Sequence, residues 1–217
     1  MKKLAILSEK GGAGKTILSV HLSVAAESHG FATAIFDLDP RANSAIWGDS
    51  RPNGIPAVVP AQAPRLSTLL AQAEANKADL VIFDTPGNAP DIASHAATHA
   101  DAILIPCRPY GPDLLSISAS VKIAHAAGKP TYVVINSAPV QGVETAEAIA
   151  AISASGVHVC PVTLHTRKSF ATRFHEGLTA QEVEPKGKAT AEIEALFAWL
   201  CNKVIMLTSE NVALATR

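Results

Sequence analysis

With 217 residues, 48% of them hydrophobic, and a net charge of −1 at neutral pH, the chain can bury a sizeable core without disulfides or structural metal. That charge balance does not mark a nucleic-acid binder, and it leaves only a local basic patch for such a role. No N-terminal stretch reads as a signal peptide and the longest apolar runs fall far short of a membrane span, so a cytoplasmic protein is expected. The cysteines Cys107, Cys160 and Cys201 are odd in number, widely spaced and without metal-ligand spacing, which reads as buried thiols.

The first strand is expected over residues 3–8, an apolar run that leads into Lys10-Gly11-Gly12-Ala13-Gly14-Lys15-Thr16 and then a helix over 15–28. Strand, glycine loop, Lys-Thr and helix in that order form a phosphate-binding loop. The glycines let backbone N–H groups turn inward around a polyphosphate, Lys15 reaches its terminal groups, and the Thr16 hydroxyl is available to Mg²⁺. The dipole of the helix that follows favours the anion. A second strand over 31–37 ends in Asp37-Leu38-Asp39-Pro40, and carboxylates at the carboxyl end of a parallel strand face the ligand crevice. Residues 48–63 read as a loop with a short strand at Ala57 to Val59, followed by a helix over 64–76. The next strand, 80–84, closes on Asp84-Thr85-Pro86-Gly87. An apolar run ending in aspartate holds Mg²⁺, often through a coordinated water, and the turn after it resembles a switch loop.

Helices over 91–99, 113–127, 143–155, 168–176 and 189–206 alternate with strands over 102–106, 131–136 and 157–161. Gly30, Gly128 and Gly156 stand as stop signals just past three of the helices. The alternation predicts an α/β fold, a mainly parallel twisted sheet with helices on both faces, as one domain over 1–207 with a tail at 208–217.

The lysine directly before Gly-Gly-x-Gly-Lys-Thr resembles the deviant Walker A sequence of the ParA/MinD group of P-loop ATPases. Over most of its length the chain is similar to the short ParA type, the ParF-like partition ATPases. The later matches are Ile105-Pro106, Pro109, Pro112-Asp113, Asn136, Arg167 and Gly177. The resemblance implies an ATP/ADP switch in which Lys10 crosses a homodimer interface to the partner's nucleotide. It implies a nucleotide site made of Lys10, Gly11, Gly12, Ala13, Gly14, Lys15, Thr16 and Ile17, with Asn136 near the adenine. Lys10, Lys15 and Asp39 would carry catalysis, Asp39 by orienting the attacking water, and Thr16, Asp39 and Asp84 would form the Mg²⁺ shell. Asp37 would support the loop or that shell. Arg41 stands where the related motif has glutamine, a departure that changes the local contacts.

The group also implies nonspecific DNA binding on the nucleoid and a centromere-binding partner of the ParB or ParG kind. The basic run containing Arg167, Lys168 and Arg173 is the candidate DNA surface. The glycine loop opens at the tenth residue, so no separate operator-binding module is expected ahead of it. A membrane cycle of the MinD kind is not expected, because the tail from Leu207 lacks a basic amphipathic helix. Positioning of a different cargo on the same DNA matrix is the alternative function, and a metabolic P-loop enzyme comes after it.

Overall fold

The structure, a computed structural model, describes residues 1–205. The expected boundary at 207 and the tail at 208–217 lie outside the described residues. A seven-stranded sheet runs in the order β3-β2-β4-β1-β5-β6-β7, and every pairing in it is parallel. The strands are β1 (Lys2–Ile6), β2 (Thr33–Asp37), β3 (Ala57–Pro60), β4 (Leu80–Asp84), β5 (Ala102–Cys107), β6 (Thr131–Ala138) and β7 (His158–His165). The helices are α1 (Lys15–Ser28), α2 (Asn43–Asp49), α3 (Leu66–Ala75), α4 (Pro90–His99), α5 (Gly111–Ala127), α6 (Glu144–Ala154), α7 (Ala180–Val183) and α8 (Lys188–Leu200).

The central strands are apolar without interruption because both of their faces are covered. Successive side chains point to opposite faces, so one strand feeds two cores. Ala5 and Leu7 join Phe83, Ile103 and Val133 beneath α3, α4, α5 and α6, while Leu4 and Ile6 join Ile82, Leu104 and Val134 beneath α1 and α8. A smaller cluster gathers Val20, Val24, Ile35 and the fully buried Trp47 under α2. The three cysteines are free and buried, as expected. Gly128 caps α5 with φ 64° in the left-handed region, where a residue without Cβ carries no steric penalty.

Three expectations need correction. The helix over 168–176 is absent. Two short 3₁₀ turns, Lys168–Phe170 and Phe174–Glu176, stand in its place. Phe170 and Phe174 have helical spacing, but each is drawn to a different partner: Phe170 packs edge-on to His21 at 5.2 Å and Phe174 lies 6.5 Å from Trp47. The helix over 189–206 is α8 followed by a π turn at Cys201–Ile205. The third concerns the loop expected over 48–63: its first two residues close α2, a helix over Asn43–Asp49 that no expectation covers.

Candidate active site

In a parallel sheet every strand delivers its carboxyl end to one rim, and the chain leaves β1 in one direction and β5 in the other, which opens a crevice above β1. The β1–α1 loop fills that crevice. Gly12 and Gly14 adopt φ 77° and 93°, conformations that L side chains rarely take, and these turn the loop around its own amides. A Cβ at Gly14 would overlap the Asn136 amide, and Asn136 Nδ2 donates to the Ala13 carbonyl at 2.7 Å from the end of β6. Asn136 therefore braces the loop from below. Gly87 meets the loop from the other side, where a Cβ would lie 3.0 Å from Gly11 N, and the Asn88 N–H donates to the Glu9 carbonyl at 2.8 Å.

A cavity of about 590 Å³ lies over this loop, walled by Gly11, Gly12, Gly14, Lys15, Thr16 and Ile17 on one side and by Asp39, Pro40, Arg41 and Asn43 on the other. Lys15 is buried and its ammonium donates to the carbonyls of Ser8 at 2.8 Å and Lys10 at 3.1 Å. Burial pulls its pKa below the ordinary lysine value, while Asp84 and Asp39 pull the other way. A cation held by main-chain carbonyls, with no carboxylate in direct contact, is matched to a polyanion arriving above the loop.

Asp84 sits beneath the cavity floor, fully buried. Its Oδ2 accepts a hydrogen bond from the Ser44 hydroxyl at 2.6 Å, whereas its Oδ1 has no partner among the described residues. Burial pushes this carboxyl up to about 6, against the pull of the Ser44 and Thr16 hydroxyls. A buried carboxylate oxygen without a donor costs free energy until something supplies one. A Mg²⁺-bound water would supply such a donor, and its chemistry fits this oxygen. The residues present therefore suit the metal, with Thr16 and Asp84 as its holders and Asp39 on the adjoining wall.

Asp37 organises the opposite wall. Its carboxylate accepts from the N–H of Asp39 at 3.0 Å and of Ala45 at 2.9 Å, so it fixes the turn that leads into α2 and does not enter the cavity. Asp39 stays half-exposed with one oxygen accepting from the Arg41 N–H at 2.9 Å, which leaves the other free to hold water. Ser44 is the functional residue that sequence reasoning misses. Its only signal is its place five residues after Asp39, and its role appears when α2 folds over β4.

Lys10 lies outside the cavity. Its ammonium pairs with Asp113 at 2.7 Å on the first turn of α5, and Arg108 Nε joins the same carboxylate at 2.8 Å. Burial pushes the Asp113 carboxyl up, but the two cations outweigh it and hold the group below the usual carboxylate range. The basic run is further away and differently built. Arg167 pairs with Glu192, Nε to Oε1 at 3.0 Å, and Arg173 pairs with Glu176, so among the described residues only Lys168 of the three has no ion pair. Arg51 ties α2 to this run: its guanidinium is buried, lies 4.7 Å from the Trp47 ring centroid, and donates to the Gly177 carbonyl at 2.7 Å and to Glu182 at 3.0 Å.

A parallel sheet with a glycine loop at its switch point, two lysines around that loop and an aspartate at the end of both β2 and β4 define a nucleotide-binding α/β domain. Residues 4–180 match the family described as the CobQ/CobB/MinD/ParA nucleotide binding domain, and the chain belongs to that family. It is 27% identical over 209 residues to the protein ParA of Rhizobium radiobacter, covering 89% of this chain and 92% of that one. It is 25% identical over 200 residues to the maintenance of carboxysome distribution protein A of Halothiobacillus neapolitanus, covering 87% and 91%. The fold superposes on the septum site-determining protein MinD of Pyrococcus horikoshii, solved with Mg-ADP, with a TM-score of 0.75 at 17% identity over 91% of this chain and 94% of that one.

Proposed function

We propose that the chain is an ATP-hydrolysing switch that dimerises around Mg²⁺·ATP, holds DNA without sequence preference, and segregates a replicon together with a ParB- or ParG-like centromere-binding protein. The observation that carries this reading is the convergence on one cavity of Lys15, Thr16 and Asp39 above an Asp84 oxygen that lacks a donor. Lys15 turns from its two carbonyls to the terminal phosphates. Asp84 and Thr16 would hold the metal, which when bound would neutralise charge on the phosphate oxygens. Asp39 positions the attacking water, and catalysis is electrostatic and positional. Lys10 leaves Asp113 and completes the site of a second copy. Exposed apolar side chains support such a face: Tyr110 and Leu115 flank Asp113 at the start of α5, and Val140 and Val143 follow β6, exposed at 42%, 81%, 64% and 66%. The cycle runs on the nucleoid in the cytoplasm; among the described residues no helix is long and apolar enough to cross a membrane.

A second reading is positioning of a protein assembly, favoured by the similarity to a carboxysome distribution protein. It uses the same ATPase and the same DNA matrix, with a cargo-bound adaptor as partner. Both readings are tested by a mobility-shift titration of unrelated duplexes of equal length. Retardation is expected with Mg²⁺·ATP and not with ADP, it should weaken steeply with salt, and replacing Arg167, Lys168 and Arg173 by glutamate should abolish it while light scattering still detects the ATP dimer. Absence of affinity for any duplex at low salt overturns both and leaves a metabolic P-loop enzyme.

A further inference from the structure

Arg41 is the charged residue on the cavity wall to which the family resemblance assigns no role. Its backbone is held on both sides. Upstream, Asp39 accepts its N–H at 2.9 Å and also accepts, through its main-chain carbonyl, the Ala42 N–H at 2.8 Å. Downstream, α2 begins at Asn43 and is anchored at Ser44 by Asp84 and at Ala45 by Asp37. Ala42 links the two with φ 54°, a conformation costly for a residue with a Cβ and retained because both flanks impose it. The position of Arg41 opposite the glycine loop is thus built, although its side chain is exposed.

The guanidinium has no carboxylate partner. Among the described residues, Arg51, Arg108, Arg167 and Arg173 each pair with an acid, and only Arg41 and Arg65 do not. Arg65 faces a neighbouring cavity, whereas Arg41 lines the one that holds Lys15 and Thr16. Two unpaired cations therefore repel across a single cavity, with the Asp39 carboxylate on the wall beside one of them. A polyanion between them removes that repulsion and gains a planar donor that lysine does not offer.

We infer that Arg41 contacts the γ-phosphate from the α2 side and stabilises the charge that develops on the phosphoryl group in hydrolysis, a role taken in cis by this chain's own residue. The inference rests on the reading of the cavity as an ATP site. In the reaction, the water oxygen forms a bond to Pγ and the bond from Pγ to the β–γ bridging oxygen breaks, its electron pair staying on ADP. Both protons of the water leave with the inorganic phosphate, as dihydrogen phosphate. Arg41 donates to the equatorial oxygens throughout, and the Asp39 turn keeps its guanidinium beside the water that Asp39 holds.

The test compares Arg41→Gln, Arg41→Lys and Arg41→Ala with the wild type by calorimetry against Mg²⁺·ADP, a non-hydrolysable ATP analogue and ADP with aluminium fluoride, followed by single-turnover hydrolysis. Arg41 is exposed and not part of the core, and wild-type ADP affinity in each variant verifies the fold. Arg41→Gln and Arg41→Ala should keep ADP affinity within about threefold, lose roughly tenfold for the ATP analogue and more for the fluoride complex, and hydrolyse about a hundredfold more slowly. Arg41→Lys should recover part of the analogue affinity and little of the rate. Wild-type binding of all three ligands by Arg41→Gln, at wild-type turnover, overturns the inference and leaves the ATP reading standing. Failure of the wild type to bind either nucleotide overturns both.

Discussion

The nucleotide cavity and the basic run at residues 165–177 both concentrate positive charge, and they treat it in opposite ways. At the cavity, Lys15 contacts only main-chain carbonyls, Arg41 has no acid, and Asp84 keeps a buried oxygen without a donor. In the basic run, Arg167 and Arg173 are already satisfied by Glu192 and Glu176. Unmatched buried charge is expensive and persists where a ligand completes it. Matched surface charge costs little and contributes little. Clustering in sequence therefore says less about binding than the partners each charge acquires on folding.

The largest effect expected to break this contrast is at Lys15. Replacing it by alanine removes the cation beneath the phosphates, and calorimetry should record a loss of ATP affinity of about a hundredfold or more, since charge-assisted hydrogen bonds contribute on the order of 2–3 kcal/mol each. A variant that binds ATP as the wild type does would show the carbonyl-bound ammonium to be structural. Asp39→Ala separates binding from chemistry. Its ATP affinity should stay near wild type while steady-state turnover falls roughly a hundredfold, the scale of a residue that positions or accepts a proton from water. Unchanged hydrolysis would remove Asp39 from the mechanism.

The contrast between the regions also explains what was legible. Strands β1, β2, β4 and β5 could be read because burial on both faces leaves unbroken apolar runs, and the acidic residues that end β2 and β4 stand where those runs stop. Helix α2 could not. Its seven residues include Gly48 and make fewer than two turns, too few for a periodic signal, and it is held by Ser44 on Asp84, by Arg51 on Glu182 and by Trp47 in the core, all contacts that sequence spacing does not show. The loop at 168–176 failed for the same reason in reverse, since helical spacing is a local signal and Phe170 and Phe174 answer to His21 and Trp47. Asn136 is expected near the adenine from the resemblance, and the sequence does not show that its amide donates to Ala13. Lys10 was recognisable from its motif, and its pairing with Asp113, 103 residues away, was not.

His21 connects the two regions and sharpens the comparison through pH. It lies on α1 behind the glycine loop, fully buried, with Nδ1 at 2.7 Å from the Ile17 carbonyl and Nε2 accepting from the Ala180 N–H at 3.0 Å. That tautomer is neutral, and burial pushes the pKa down from 6.5 to about 4. A group whose folded pKa is depressed contributes its stability above the unfolded value and loses it as pH falls towards the folded one. The window is therefore between about 6.5 and 4. By linkage, urea unfolding at pH 5 should show about 2 kcal/mol less stability than at pH 7.5 from this residue. His21→Gln should be less stable at neutral pH and should flatten that slope. A wild-type slope that survives the substitution would assign the acid sensitivity to other groups.

The smallest effect is confined to the basic run and asks whether pairing decides which cations meet phosphate. Lys168 has no ion pair among the described residues, while Arg167 is held by Glu192 and Arg173 by Glu176. Each phosphate neutralised releases about 0.9 of a counterion, so losing one contact should reduce the slope of log affinity against log salt by about 1. In mobility-shift titrations of the ATP-bound protein, Lys168→Gln should remove close to that full unit. Arg167→Gln and Arg173→Gln should remove clearly less, because part of their charge is already spent on a neighbouring carboxylate. Glu192→Gln supplies the converse: it frees Arg167 and should strengthen binding by a small factor at low salt, with ADP affinity unchanged. Equal slopes for the three neutralising variants would mean that the arginines leave their acids when DNA arrives, and the distinction drawn between the two regions would then hold only for the free protein.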